Sequence, residues 1–355
     1  MAAYISFQPT DHFNTLLYTG DASASQAFTG VGFKPGCLWI KMISETKEWS
    51  NYDAPRGVEK TMRINNRDAQ STDASGLISF DADGFTLGSN SHVAAAGNYV
   101  SYNWLGAASG AANSDGGITT TISYVNSTAE MSFATYAGGD GFGASTIGHG
   151  LSVAPDMVII KRLEDAGHGW AFGSDGMAAS DAWDYAGQSL DSTGVRNDGV
   201  AWWNDTYPTS SVVAIGGDSW NNLSGKNFVM YCFANKRGFF KTGGFEGNLN
   251  ADGPFIYTGF KPAFLLIKDH AQTNQWTVLD NKRNNYGPAN PRRAVVATNS
   301  DAAQWDETDG IDFLSNGFKI RESASWANNS GYNMVYAAFA EFPFVSSNSI
   351  PVTAE

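Results

Sequence analysis

Gly32-Phe33-Lys34-Pro35, then Cys37-Leu38-Trp39-Ile40-Lys41 and, a little further on, Trp49, is the stretch that decides how this chain is read, because it occurs three times. Ala154-Pro155 precedes Met157-Val158-Ile159-Ile160-Lys161 and Trp170, and Gly259-Phe260-Lys261-Pro262 precedes Phe264-Leu265-Leu266-Ile267-Lys268 and Trp276. In every copy the Lys stands six residues after the Pro. Proline is accepted at a strand's entrance but not inside it, and four consecutive β-branched, aliphatic or aromatic residues suit a strand buried on both faces. The Lys is expected to end that strand.

Two further signatures keep step with the first. Asn98-Tyr99-Val100-Ser101-Tyr102-Asn103-Trp104, Asn227-Phe228-Val229-Met230-Tyr231-Cys232-Phe233 and Asn333-Met334-Val335-Tyr336-Ala337-Ala338-Phe339 each open on Asn and close on an aromatic. Tyr18-Thr19-Gly20, Tyr136-Ala137-Gly138 and Phe245-Glu246-Gly247 begin the copies. The signature prolines at 35, 155 and 262 are 120 and 107 residues apart. That period is far longer than a solenoid repeat and matches a whole small domain.

The expected fold is therefore all-β: three tandem β-sandwich repeats of jelly-roll or lectin-like type with little helix. Their bounds are 16–106, 118–237 and 238–343, with an N-terminal arm at 1–15 or, as the alternative, an ordinary first edge strand there, a linker of small and polar residues at 107–117 and an extended tail at 344–355. Composition agrees, since 39 Gly, 13% aromatic and only 16% charged residues among 355 suit many short strands joined by tight turns. Asp83-Gly84 and Asn316-Gly317 are hairpin turns at matching places, and Val213 and Ile215 stand in the second copy where Phe85 and Leu87 stand in the first.

A formal net charge of −13 argues against a phosphate-binding surface, so no nucleic acid is expected as partner. Cys37 and Cys232 fall on different signatures of different copies, which excludes a disulfide shared by the repeat plan and leaves small buried apolar groups. The start carries neither a basic n-region nor a long apolar h-region, so synthesis in the cytoplasm is expected.

Chemistry-bearing constellations are sparse. Asp306-Glu307-Thr308-Asp309-Gly310-Ile311-Asp312 is the densest acidic run, but neighbours on an extended chain face opposite ways and Gly310 suggests a loop, so a solvated turn is expected rather than a catalytic pair. The histidines at 12, 92, 149, 168 and 270 show no metal-ligand spacing, and Asp81–Gly84 and Asn250–Gly253 lack the distal acid of a calcium loop. Gly138–Gly143 has no helix or Lys-Ser/Thr after it and reads as a loop. Lys41 with Asp53 and Lys268 with Asp280 are expected to pair across a hairpin in support of the fold, where the second copy has Ser174. No catalytic residue, metal or cofactor is expected. The second copy exceeds its sisters between Trp170 and Val212, where Trp183, Tyr185, Trp202, Trp203 and Tyr207 lie among Asp, Ser and Gly. Trp202, Trp203, Asn204, Asp205 and Trp220 are the candidate ligand-binding residues, rings to stack on sugars and amide or carboxylate groups to bond hydroxyls. Since Trp202 and Trp203 are consecutive, an extended chain would bury one at most; the alternative is that both cap the sandwich end.

Tyr18-Thr19-Gly20, Gly30-Val31-Gly32-Phe33-Lys34-Pro35, Trp39-Ile40-Lys41, Arg56-Gly57, Ser79–Gly88 and the ending Phe342–Ser347 with Pro351–Ala354 resemble a repeat domain abundant in structural proteins of tailed phages, many marine and often tail-fibre-like. The pattern is also similar to concanavalin A-like and laminin G-like sandwiches, an analogy of fold that carries no function. The resemblance implies a non-enzymatic viral protein, made in host cytoplasm and displayed on the virion of a bacteriophage. It would be a tail-fibre or appendage protein with other virion proteins as partners, receptor binding to host-surface polysaccharide, and a homo-oligomeric state, trimer favoured, held partly by residues 1–15 and 344–355. The alternative it implies is a capsid decoration or head-fibre protein of purely structural role. No heptad shaft is visible, which leaves a compact appendage.

Overall fold

The computed structural model describes residues 7–139, 143–177, 186–198, 200–284, 289–330 and 333–341. Each proline signature becomes a central strand. In the N-terminal third, β1 (Phe13–Gly20), β2 (Pro35–Met42), β3 (Ser50–Asp53) and β4 (Gly97–Leu105) form an antiparallel sheet in the order β1-β4-β2-β3. In the middle third, β5 (Met131–Ala137), β6 (Met157–Arg162), β7 (Trp170–Ser174) and β8 (Asn227–Phe233) lie in the order β5-β8-β6-β7. In the C-terminal third, β9 (Phe240–Glu246), β10 (Pro262–Asp269), β11 (Thr277–Asp280) and β12 (Asn333–Ala340) lie in the order β9-β12-β10-β11. Register matches as well as order: Trp39 faces Tyr102, Ile159 faces Tyr231 and Leu266 faces Ala337.

Side chains alternate across a strand, and both faces of the three central strands β2, β6 and β10 are covered. One face looks into a core of its own third. Leu38, Ile40 and Met42 meet Phe28, Phe85 and Leu87 of an outer layer made by Gln26–Thr29, Gly84–Leu87 and Leu77–Asp81. Val158 and Ile160 meet Ile147, Val213 and Ile215, carried by Ser145–Gly148 and Val212–Ile215. Leu265 and Ile267 meet Ile256, Phe313, Phe318 and Ile320, carried by Phe255–Tyr257, Trp305–Leu314 and Gly317–Ile320. These layers make a sandwich-like arrangement. The other face is shared: Cys37, Trp39 and Trp104, Met157, Ile159 and Phe233, and Phe264, Leu266 and Phe339 belong to one apolar cluster drawn from all three thirds. Only about 20 Å³ of cavity remains where they converge. The uninterrupted apolar runs are explained by this double burial.

Several expectations need correction. Lys41, Lys161 and Lys268 do not end their strands, which run on to Met42, Arg162 and Asp269, and all three side chains are buried. Residues 1–15 are not a separate arm where described: Phe13 opens β1, opposite Trp104, and Phe7 stacks on His12 and packs edge-on to Phe239. Residues 1–6 and the expected tail at 344–355 lie outside the described residues. The linker expected at 107–117 contains a strand, Ala111–Asn113, which pairs with Thr120–Asn126 at the edge of the middle sheet. The acidic run at 306–312 is no turn. It lies in the strand Trp305–Leu314, and Gly310, at φ 73, absorbs a register shift at a spot where a Cβ would collide with the Arg292 carbonyl.

Candidate functional site

The most repeated chemistry lies where the thirds meet. The signature tryptophans each donate the indole N–H to a backbone carbonyl of a neighbouring third: Trp49 to Ala297 at 2.8 Å, Trp170 to Arg63 at 2.9 Å and Trp276 to Ser189 at 3.0 Å. The three bonds run first to third, second to first and third to second, closing a ring. The signature lysines lie beside them. Lys41 Nζ donates to the carbonyls of Met42 and Asp301, Lys161 Nζ to Arg162 and His168, and Lys268 Nζ to Asp269 and Gln272, all at 2.6–3.2 Å. Burial lowers all three ammonium groups to about 8. A carbonyl cage satisfies their donors without supplying a full counter-charge.

The expected Lys–Asp pairs do not form. Asp53 instead binds Arg56, three residues on, at 2.6 Å and receives the hydroxyl of Tyr231 at 2.5 Å; Asp280 binds Arg283 at 2.5 Å and receives Tyr102 at 2.7 Å. Both carboxylates and both guanidiniums are buried, and each tyrosine arrives from a neighbouring third. Burial pushes both phenols well above the usual range. At the middle-to-C-terminal junction all three positions change together: Ser174 replaces the Asp, Met177 the Arg and Ala337 the Tyr. There the Ser174 hydroxyl meets that of Thr242 at 2.6 Å, and Arg196 donates to the Met177 carbonyl at 2.7 Å. A buried charged pair is kept or lost whole because one partner alone would be an uncompensated buried charge.

The ligand-binding candidates divide. Trp202 and Trp203 end a single helical turn, Val200–Trp203, so the extended-chain argument fails and both are buried, at 8% and 1% exposure, in the core of the middle third. Asn204 and Asp205 follow in left-handed backbone at φ 53 and 49 and are exposed. Trp220 is half-buried, its ring centroid 5.0 Å from that of Trp202 in a tilted contact and 5.0 Å from the Arg67 guanidinium. Its ring is thus engaged within the chain by both neighbours. Trp183 and Tyr185 lie outside the described residues.

An open cleft of about 530 Å³ lies between the N-terminal and middle thirds, edged by Arg56, Gln70, Glu164, Asp165 and Asn227. Its charges are engaged: Arg56 by Asp53 and Gln70, Glu164 by Asn227, and Asp165 by Arg162 and Lys226. Asp83, in one suspected calcium turn, accepts the N–H groups of Gly30 and Gly32, and Asp252, in the other, pairs with Lys319. Among the described residues no group of His, Cys, Asp and Glu is placed to hold a metal, both cysteines are free and buried, and no helix is long and apolar enough to cross a membrane. Of the loop at 138–143, residues 140–142 lie outside the described residues.

Residues 8–343 match a family described as a domain of unknown function, DUF7483. No curated protein and no solved structure matches the chain.

Proposed function

Because the chain belongs to that family, whose description names no activity, we propose from its architecture and motifs that it is a non-enzymatic structural protein of a tailed-phage particle. It would be an appendage of tail-fibre type, made of three tandem sandwich repeats fused into one rigid block that binds host-surface glycan. The observation that supports this reading is the ring of indole-to-carbonyl bonds around a shared apolar core, which would tie three sandwich units into one body. Such a body suits the display of several weak sites at fixed spacing, where avidity replaces affinity. Repeated units also give one chain approximate three-fold character, so a single copy could seat on a three-fold support. The homotrimer remains part of the proposal, and its motive now rests on residues 344–355, since Phe7 and Phe13 are already packed within the chain.

A capsid decoration or head-fibre protein of purely structural role is the second reading, and the burial of Trp202 and Trp203 favours it. The test is retention of the full chain on surface polysaccharide extracted from host cells, with the polysaccharide sized afterwards. Retention with unchanged size supports the appendage reading; shortening overturns the non-enzymatic one; no retention, with the chain present in purified particles, selects decoration.

A further inference from the structure

We propose that Phe255 and Tyr257, on the edge strand of the C-terminal outer layer, form a stacking platform for a neutral saccharide chain; this deepens the glycan-binding reading and rests on it. The strand alternates, with Ile256 buried opposite Phe318 while Phe255 and Tyr257 are 45% and 64% exposed. Residues two apart on a strand lie on one face about 7 Å from each other, so both rings leave the same face, the tip of Phe255 reaching over Gly317 and the hydroxyl end of Tyr257 lying by Gly259.

The shared plan does not require them. Phe28 pairs with Phe85 as Ile256 pairs with Phe318, and Ile147 pairs with Val213 in the same place, so the residues flanking the buried one are Ala27 and Thr29 in the N-terminal third and Thr146 and Gly148 in the middle third. Only the C-terminal third carries aromatics there. Exposed aromatics on an edge strand invite aggregation, so their presence at a place the fold fills with small residues calls for a use.

The surroundings indicate the class of ligand. Tyr257 stands opposite Gly317, which supplies no side chain to cover a ring, and Phe255 stands opposite Lys319, itself opposite Asp312. The nearby charges are neutralised in pairs, Lys319 with Asp252 at 2.8 Å and Arg321 with Asp312 at 2.6 Å. These two pairs carry no net charge between them, while their paired polar groups remain beside the rings to bond hydroxyls. Size separates a saccharide from a protein: a stable protein interface needs about 800 Å² per partner, and two partly exposed rings present a small fraction of that.

The test is saturation-transfer NMR on the full chain with chitohexaose, cellohexaose, maltohexaose and mannohexaose. At least one is expected to receive magnetisation, with a tenfold or greater loss of affinity in F255A/Y257A and recovery in F255W/Y257W, at unchanged near-ultraviolet dichroism. Undiminished binding by F255A/Y257A overturns this site and leaves glycan binding elsewhere standing. No transfer to any of the four from the unaltered chain overturns the platform, while retention on extracted polysaccharide still judges the broader reading independently.

Discussion

At the scale of single residues the buried charges are the informative ones. Asp280, Arg283 and Tyr102 form one buried set, with Arg283 also donating to Gln304 and the Val278 carbonyl, and the chain itself shows the neutral replacement in Ser174, Met177 and Ala337. D280S alone strands the Arg283 guanidinium, a loss of about 3–5 kcal/mol. D280S/R283M/Y102F removes the charge and the orphaned hydroxyl with it, so denaturant midpoints should place the triple variant above the single one; the reverse order would mean the set contributes net stability as an ion pair. The lysines make a separate prediction in pH. Below pH 8 folded and unfolded chains both hold the Lys268 proton, so that group gives no pH dependence. From about 8 up to the ordinary 10.5 the unfolded chain holds a proton the folded one has released, and stability rises with pH. Measured as the difference between wild type and K268M, which cancels the cysteines and tyrosines, the gap should move toward wild type by about 1 kcal/mol between pH 7 and 9.

Single elements show why so much of the architecture was legible in sequence and where it was not. The Pro-to-Lys stretch announced a doubly buried strand because its apolar run has no polar alternation, and β2, β6 and β10 are that strand. The glycine closing each opening signature has an equally local cause: a Cβ on Gly20, Gly138 or Gly247 would come within 3.0 Å of the backbone at Ala95, Leu223 or Asn328. Each Gly→Ala change there should cost about 1–3 kcal/mol by overpacking, while G143A, with nothing within 4 Å, should leave thermal midpoints nearly unchanged. β1 was half concealed, because its first residues, Phe13-Asn14-Thr15, look like a terminal arm until their partner Trp104-Asn103-Tyr102 is known. Partnership across 80 or more residues leaves no mark in a local pattern. The same limit hid the burial of two of the ligand-binding candidates. Trp202 and Trp203 drew attention by clustering in sequence, yet a single helical turn aims both inward. Phe255 and Tyr257 carry no local signature, and only the register, which sets them against Ala27 and Thr29, marks them as additions.

For the whole molecule the shared core decides how the thirds depend on one another. Trp39, Trp49, Tyr102 and Trp104 of the N-terminal third lie within the common cluster, and exposing four side chains of this size forgoes about 6–12 kcal/mol. That is comparable to the entire net stability of an ordinary domain, about 5–15 kcal/mol. A third cut free would lose this burial, and its signature Trp and any buried Asp–Arg pair would lose the partner supplied from next door. The thirds are therefore sandwich-like in layout but not independent in energy. Calorimetry of the full chain should show one cooperative transition, with van't Hoff and calorimetric enthalpies agreeing. Residues 107–237 expressed alone should be aggregated or molten, because Met157, Ile159 and Phe233 would face water. Three separable transitions, or a well-folded isolated fragment, would show that the common core is a contact between finished domains; one transition would establish that the ring of thirds is the folding unit.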